Sequence, residues 1–288
     1  MGLPISEDDF PGPDINNTHN LPQIAKAIMS GNISIQDDCA FLLRRLFEAA
    51  PDIKPAIQQV IDLGLASKLV CLLQQGHKPT AQQDTAVALG DIVGKGTCAQ
   101  AKVVVDAGAI PALVNLLRSQ TAHRELARDA ALVLGIIASK SITCRDAVLA
   151  SGAVPNLLMQ MKMFNDLFTL NVVSGTLEKI SEENIESGLF YKAKPSLQPL
   201  SDLLLYDGRG IENDADEILL QEMISNVCWA LYNLCHNKSD EVIATVMNAS
   251  TLLRLLELSV NHLQEAHDPA SFIIGDLAER NEIWFQPI

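Results

Sequence analysis

Three segments of the chain repeat one another at a fixed interval: "DLGLASKLVCLL", "DAGAIPALVNLL" and "ASGAVPNLLMQM". Their glycines are Gly64, Gly108 and Gly152, 44 residues apart each time (108 − 64 and 152 − 108). A unit this short cannot enclose a core alone, so each copy must bury its apolar side against its neighbours. Weaker copies begin near Pro195, "KPSLQPLSDLL", and near Asn248, "NASTLLRLLEL".

Each copy has the same local grammar. A helix ends at "DAG" or "ASG", where glycine can take the left-handed backbone that stops it. Pro111 and Pro155 follow near the start of the next helix, where a missing N–H costs little. An apolar run at helical period comes next, then a polar loop, then an alanine-rich helix such as "TAVALGDIV" or "AALVLGIIA". Small residues there let neighbouring copies approach closely. A period of about 40–47 residues is that of armadillo and HEAT arrays. The expected fold is all-α, an armadillo-type right-handed superhelical solenoid of about five to six repeats over residues 21–281. Residues 1–20, rich in Pro, Asp and Asn, are expected to be disordered. Tyr206–Glu217, "YDGRGIENDADE", reads as an acidic insertion forming a surface loop, and residues 282–288 as a C-terminal tail.

Charge and cysteines narrow the function classes. Acidic residues number 35 against 21 basic ones, a net charge of −14, which argues against nucleic-acid binding and suits a basic partner. The six cysteines show neither a C-x-x-C pair nor zinc spacing, and several sit in apolar helical runs as small core residues. They read as reduced thiols of an intracellular protein. No apolar run is long enough to span a membrane. "MGLPIS" fits the myristoylation pattern at Gly2, but Glu7-Asp8-Asp9 would oppose docking on anionic lipid and chance is the simpler reading. "GDIVGKGTC" lacks the glycine and the Ser/Thr that a phosphate loop requires. The six histidines have no metal spacing and no nucleophile beside them. No catalytic residues, metal or cofactor are expected.

Longer stretches carry a more specific likeness. "TCRDAVLASGAVPNLL", "GTCAQAKVVVDAGAIPALVNLL", "KAKPSLQPLSDLL" and "NVCWALYNLCHNKSDEVIATVM" resemble successive repeats of importin-α, the armadillo adaptor that carries nuclear-localisation peptides. The likeness runs from about Leu21 to about Asn281 and matches roughly the first five and a half of the family's ten repeats. It implies residence in cytoplasm and nucleus. It also implies a concave groove in which third helices present W-x-x-x-N to an extended basic peptide. The asparagines would bond the peptide backbone, and the tryptophans would sandwich lysine or arginine stems.

By that resemblance, "VCWALYNLC" keeps the motif as Trp229 and Asn233. Candidate groove residues are Asp91, Thr97, Trp229, Asn233 and Asp276. Elsewhere the ladder is degenerate: Val87, Leu132, Ile136, Gly175, Lys179 and Phe272 replace its rungs, and Lys140 stands where the family has an aspartate for the signal's key lysine. Each lost tryptophan slot removes on the order of 0.5–2 kcal/mol. Each lost asparagine bond removes about 1 kcal/mol. Together this is roughly a thousandfold in affinity. Residues 1–38 hold a single basic residue, Lys26, so importin-β recruitment through this N-terminus is not expected. Two readings stay open: an adaptor for import signals with a weakened groove, or a protein-interaction scaffold of the same lineage. Ile283, Trp284 and Phe285 must fold back on the last repeat or be covered by a partner or a second copy.

Overall fold

The computed structural model describes residues 21–30, 32–75, 78–118, 124–182, 185, 187–206, 208, 211–236, 240–244, 246–260 and 265–279. The expected disordered segment 1–20 with Gly2, and the tail 282–288 with Trp284, lie outside the described residues. Among those described there are helices and turns but no strand. The chain is an all-α armadillo solenoid. Two compact units divide it, residues 1–151 and 152–288.

The first unit holds α1 (Leu21–Ile28), α2 (Ile33–Ala49), α3 (Lys54–Asp62), α4 (Leu65–Gln75), α5 (Pro79–Lys95), α6 (Cys98–Asp106), α7 (Ala109–Arg118), α8 (Arg124–Ala138) and α9 (Ile142–Ala150). The long helices α2, α5 and α8 pack side by side, while α4 packs on α7 and α3 on α6. This is the repeat grammar in space: a short helix, a middle helix, and a long third helix that stacks on its counterpart. The turn glycines do what the sequence requires. Gly64 and Gly108 have φ of 67° and 92°, a region that costs an L side chain about 1–2 kcal/mol. Third helices meet closely because of Gly90: a Cβ there would come within 2.9 Å of Val133 Cγ2. Leu43, Phe47, Leu69, Leu89, Ile92 and Leu113 fill the interior with under 2% exposure. Burying each such side chain contributes about 1.5–3 kcal/mol.

The second unit holds α10 (Ala153–Met163), α11 (Leu167–Ser181), α12 (Ser187–Ala193), a 3-10 turn (Lys194–Ser196), α13 (Leu197–Leu204), α14 (Asp214–Cys235), α15 (Asp240–Ala244), α16 (Ala249–Val260) and α17 (His267–Glu279). Gly152 precedes α10 at φ 80° and repeats the turn of the first unit. The third helices α11, α14 and α17 stack in order, and α13 packs on α16. A buried hydroxyl pair, Ser201 Oγ with Thr251 Oγ1 at 2.9 Å, ties that last contact. The acidic insertion is shorter than the sequence suggests. Asn213 caps the N-terminus of α14 by accepting from the Ala215 and Asp216 N–H groups, so Asp214–Glu217 form its first helical turn. Three acids there favour the helix N-terminus electrostatically.

The cysteines behave as expected of core thiols at four positions. Cys39, Cys144, Cys228 and Cys235 are buried, and none of the six cysteines forms a disulfide. Burial pushes the Cys39 and Cys228 thiols up to about 12, which keeps them protonated and unreactive. Cys71 is half-buried, and Cys98 is exposed, its thiol 3.6 Å from the Lys140 carbonyl.

Candidate functional site

Trp229 and Asn233 lie one helical turn apart on α14, both half-buried. The Trp229 ring is not isolated. It meets Phe272 of α17 at 5.9 Å between centroids and Tyr232 at 6.1 Å, and Tyr232 in turn meets Phe272 at 5.8 Å. Tyr232 also stacks on His236 at 4.9 Å. These separations lie in the range of favourable aromatic contact. Phe272, which the resemblance counts as a replaced tryptophan, thus builds an aromatic cluster with Trp229 and Tyr232. Phe272 is 51% exposed, so the outer side of the cluster faces solvent.

Polar groups frame the rings. The Asn233 side chain makes no hydrogen bond among the described residues. Asp276, one turn beyond Phe272, stands 3.4 Å from His236 Nδ1 without the alignment of a hydrogen bond. On the α11 side, Asn226 Nδ2 donates to Asn171 Oδ1 at 3.1 Å, and Asn171 Nδ2 donates to Glu222 Oε2 at 3.0 Å. Gly175 serves this network: a Cβ there would sit 3.2 Å from the Asn226 amide nitrogen. The glycine that reads as a lost rung thus makes room for an amide. Lys179 is bound to its own helix, reaching Glu182 Oε1 at 2.6 Å and Glu178 Oε2 at 3.0 Å. Burial lowers the Lys179 ammonium, but the bonds to Glu182 and Glu178 outweigh it and leave the ammonium raised.

The candidate positions of the first unit are spent on internal structure. Asp91 pairs with Lys95 at 2.7 Å along α5. Thr97 caps α6: its hydroxyl accepts from Gln100 N–H, and its own N–H donates to Gln100 Oε1 at 2.8 Å. Gly96 precedes it because a Cβ would collide with the Ile92 carbonyl. The Gly-Thr pair is thereby explained as a helix junction. Lys140, expected to oppose a peptide lysine, is engaged with the backbone. Its Nζ donates to the Gly94 carbonyl at 2.7 Å and the Gly96 carbonyl at 3.3 Å, at the end of α5. There it satisfies terminal carbonyls and complements the helix dipole. Val87 and Ile136 are half-buried and Leu132 is 48% exposed, a wholly apolar set.

One turn before that apolar set along α5 and α8 lies a polar network that also takes in α2. Arg44 Nε stands 2.7 Å from Asp84 Oδ1, and Arg44 Nη1 donates to Glu48 at 2.9 Å. Burial raises the Asp129 carboxyl, opposed by a hydrogen bond from Gln83 and by the charges of Arg128 and Arg44. No group of three or more His, Cys, Asp or Glu able to hold a metal occurs among the described residues.

Sequence reasoning missed Tyr232, His236, Asn226, Asn171 and Glu222. Tyr232 and His236 were accessible to it, since they follow Trp229 at i+3 and i+7 on one helical stripe. The Asn171–Asn226 bond joins residues 55 apart and has no local signature.

A family model described as "Armadillo/beta-catenin-like repeat" matches residues 97–139, the span of α6 to α8 with its Thr97 cap. "Importin subunit alpha-1b" of Oryza sativa subsp. japonica is 29% identical over 266 residues, covering 92% of this chain and 46% of the relative. "Importin subunit alpha-2" of Arabidopsis thaliana is 31% identical over 239 residues, covering 83% of this chain and 41% of the relative. The chain spans under half the length of these relatives. Among solved structures, an engineered protein is 25% identical with a TM-score of 0.72, covering 90% of this chain and 99% of its own. A designed armadillo repeat protein in complex with peptide (KR)4 is 21% identical with a TM-score of 0.71, covering 89% and 98%.

Proposed function

The chain is an armadillo-repeat protein that resembles importin-α subunits over most of its length, and we propose that it is a protein-binding adaptor whose recognition centre is the α14–α17 face of its second unit. The observation that carries this reading is the Trp229–Tyr232–Phe272 cluster with the Asn233 amide beside it. Exposed aromatic surface supplies contact area and attraction for cations, and an uncommitted amide can hold a peptide backbone. The partner is an extended basic segment of a protein, in keeping with a net charge of −14. The adaptor acts without catalysis, as the armadillo proteins it resembles do. The likeness to proteins named importin-α supports reading such segments as nuclear-import signals, with the adaptor working in cytoplasm and nucleus.

A second reading is favoured by the first unit. Val87, Leu132 and Ile136 offer no cation slot, and Asp91, Thr97 and Lys140 are bonded within the fold. A scaffold of the same lineage that no longer takes conventional basic signals would look like this. Titration of a lysine- and arginine-containing signal peptide separates the two readings. Micromolar or tighter binding that weakens in Trp229→Ala supports the adaptor. Saturation absent up to millimolar peptide leaves the scaffold.

A further inference from the structure

The aromatic cluster is closed between its rings and open on its outer side. A lysine stem held between two rings needs carbon contacts on both sides, so the rings must stand about 7–8 Å apart. Trp229 and Phe272 are 5.9 Å apart, and Tyr232 and Phe272 are 5.8 Å apart. These rings already touch, and no methylene chain fits between them. Phe272, at 51% exposure, leaves a platform on which a flat group can lie.

We infer that this platform selects arginine over lysine in the bound segment, and that Phe272 sets the selectivity by filling the gap a lysine stem would enter. The inference rests on the reading above, that this face takes a basic segment. A guanidinium is planar and weakly hydrated, and it stacks on aromatic faces without needing a slot. An ammonium is compact and strongly hydrated, and loses more on approaching a flat apolar surface. Asp276, on the same helix one turn past Phe272, offers a carboxylate for the guanidinium fork. It lies 3.4 Å from His236 Nδ1 at the edge of the cluster, where it directs the guanidinium while the rings hold it.

The test uses two peptides of equal length and charge, one with arginine only and one with lysine only, in a Gly-Ser frame. The host is the full chain carrying Trp284→Phe, which leaves Trp229 its single tryptophan as reporter. Fluorescence and calorimetric titrations should give a Kd at least about fivefold lower for the arginine peptide. Phe272→Ala opens the gap and should bring the ratio below about twofold, with the lysine peptide bound at least as tightly as before. Phe272→Tyr, which keeps the ring, should restore the preference. Equal affinities in the starting chain overturn this inference alone, as does a Phe272→Ala variant that weakens both peptides equally. If neither peptide binds, the adaptor reading falls with it.

Discussion

The third helices of the two units are built on one plan and finished differently. In the first unit, α5 and α8 meet through Gly90 against Val133, and Ile136 Cγ2 lies 3.4 Å from where a Gly94 Cβ would stand. Its charges close on themselves, Asp91 on Lys95 and Lys140 on the Gly94 and Gly96 carbonyls. In the second unit, α14 and α17 meet through rings, and an amide and a carboxylate flank them. A repeat fold fixes the backbone, and the residues on the third helix then decide whether that face is closed by aliphatic packing or left with exposed rings. Sealing needs small residues with stiff aliphatic neighbours. Binding needs large rings whose area exceeds what the partner helix covers.

Substitutions can break this contrast. Trp229→Ala should weaken an arginine-containing peptide by about tenfold or more, since cation–ring attraction and stacking together are worth about 1–2 kcal/mol. Leu132→Ala, at an exposed site of the first unit, should leave affinity within about twofold. Comparable losses in both, by calorimetry, would erase the distinction. The shared framework should respond alike in either unit: Gly108→Ala and Gly152→Ala should each lower unfolding free energy by about 1 kcal/mol in denaturant titrations. Lys140→Met should cost about 0.3–1 kcal/mol of stability through the lost helix-end contact and should not tighten basic peptides. A gain in affinity would show that Lys140 faces the ligand after all.

The smallest effect is a pH dependence in the first unit. Burial raises the Asp129 carboxyl, so the folded state holds that proton more tightly than the unfolded state. Stability therefore falls as pH rises through the interval between the two values, and the full cost is present at neutrality. Asp129→Asn should be more stable than the parent at pH 7, and the difference should vanish as pH drops below the unfolded carboxylate value. A difference that widens on acidification would contradict the buried-charge account.

Much of the fold was legible because the repeat signals are local. The 44-residue spacing, the turn glycines and the apolar runs each report a helix end or face, and the left-handed Gly64, Gly108 and Gly152 confirm the grammar. The site was less legible because its key pairs are distant in sequence. Trp229 meets Phe272 across two helices, and Lys140 reaches carbonyls 44 and 46 residues back. Counting motif residues treats Phe272 as a loss and Thr97 as a match. Packing gives each a role that the motif does not show: Phe272 joins the aromatic cluster and Thr97 caps a helix.

Under the proposed adaptor function, recognition is confined to the second unit's α14–α17 face. Hydrogen–deuterium exchange with and without a saturating arginine-containing peptide tests it most directly. New protection is expected in α14 around Trp229 to Cys235 and in α17 around Phe272 to Asp276, with α5 and α8 unchanged. Protection centred on α5 and α8, or spread equally over both units, would contradict it.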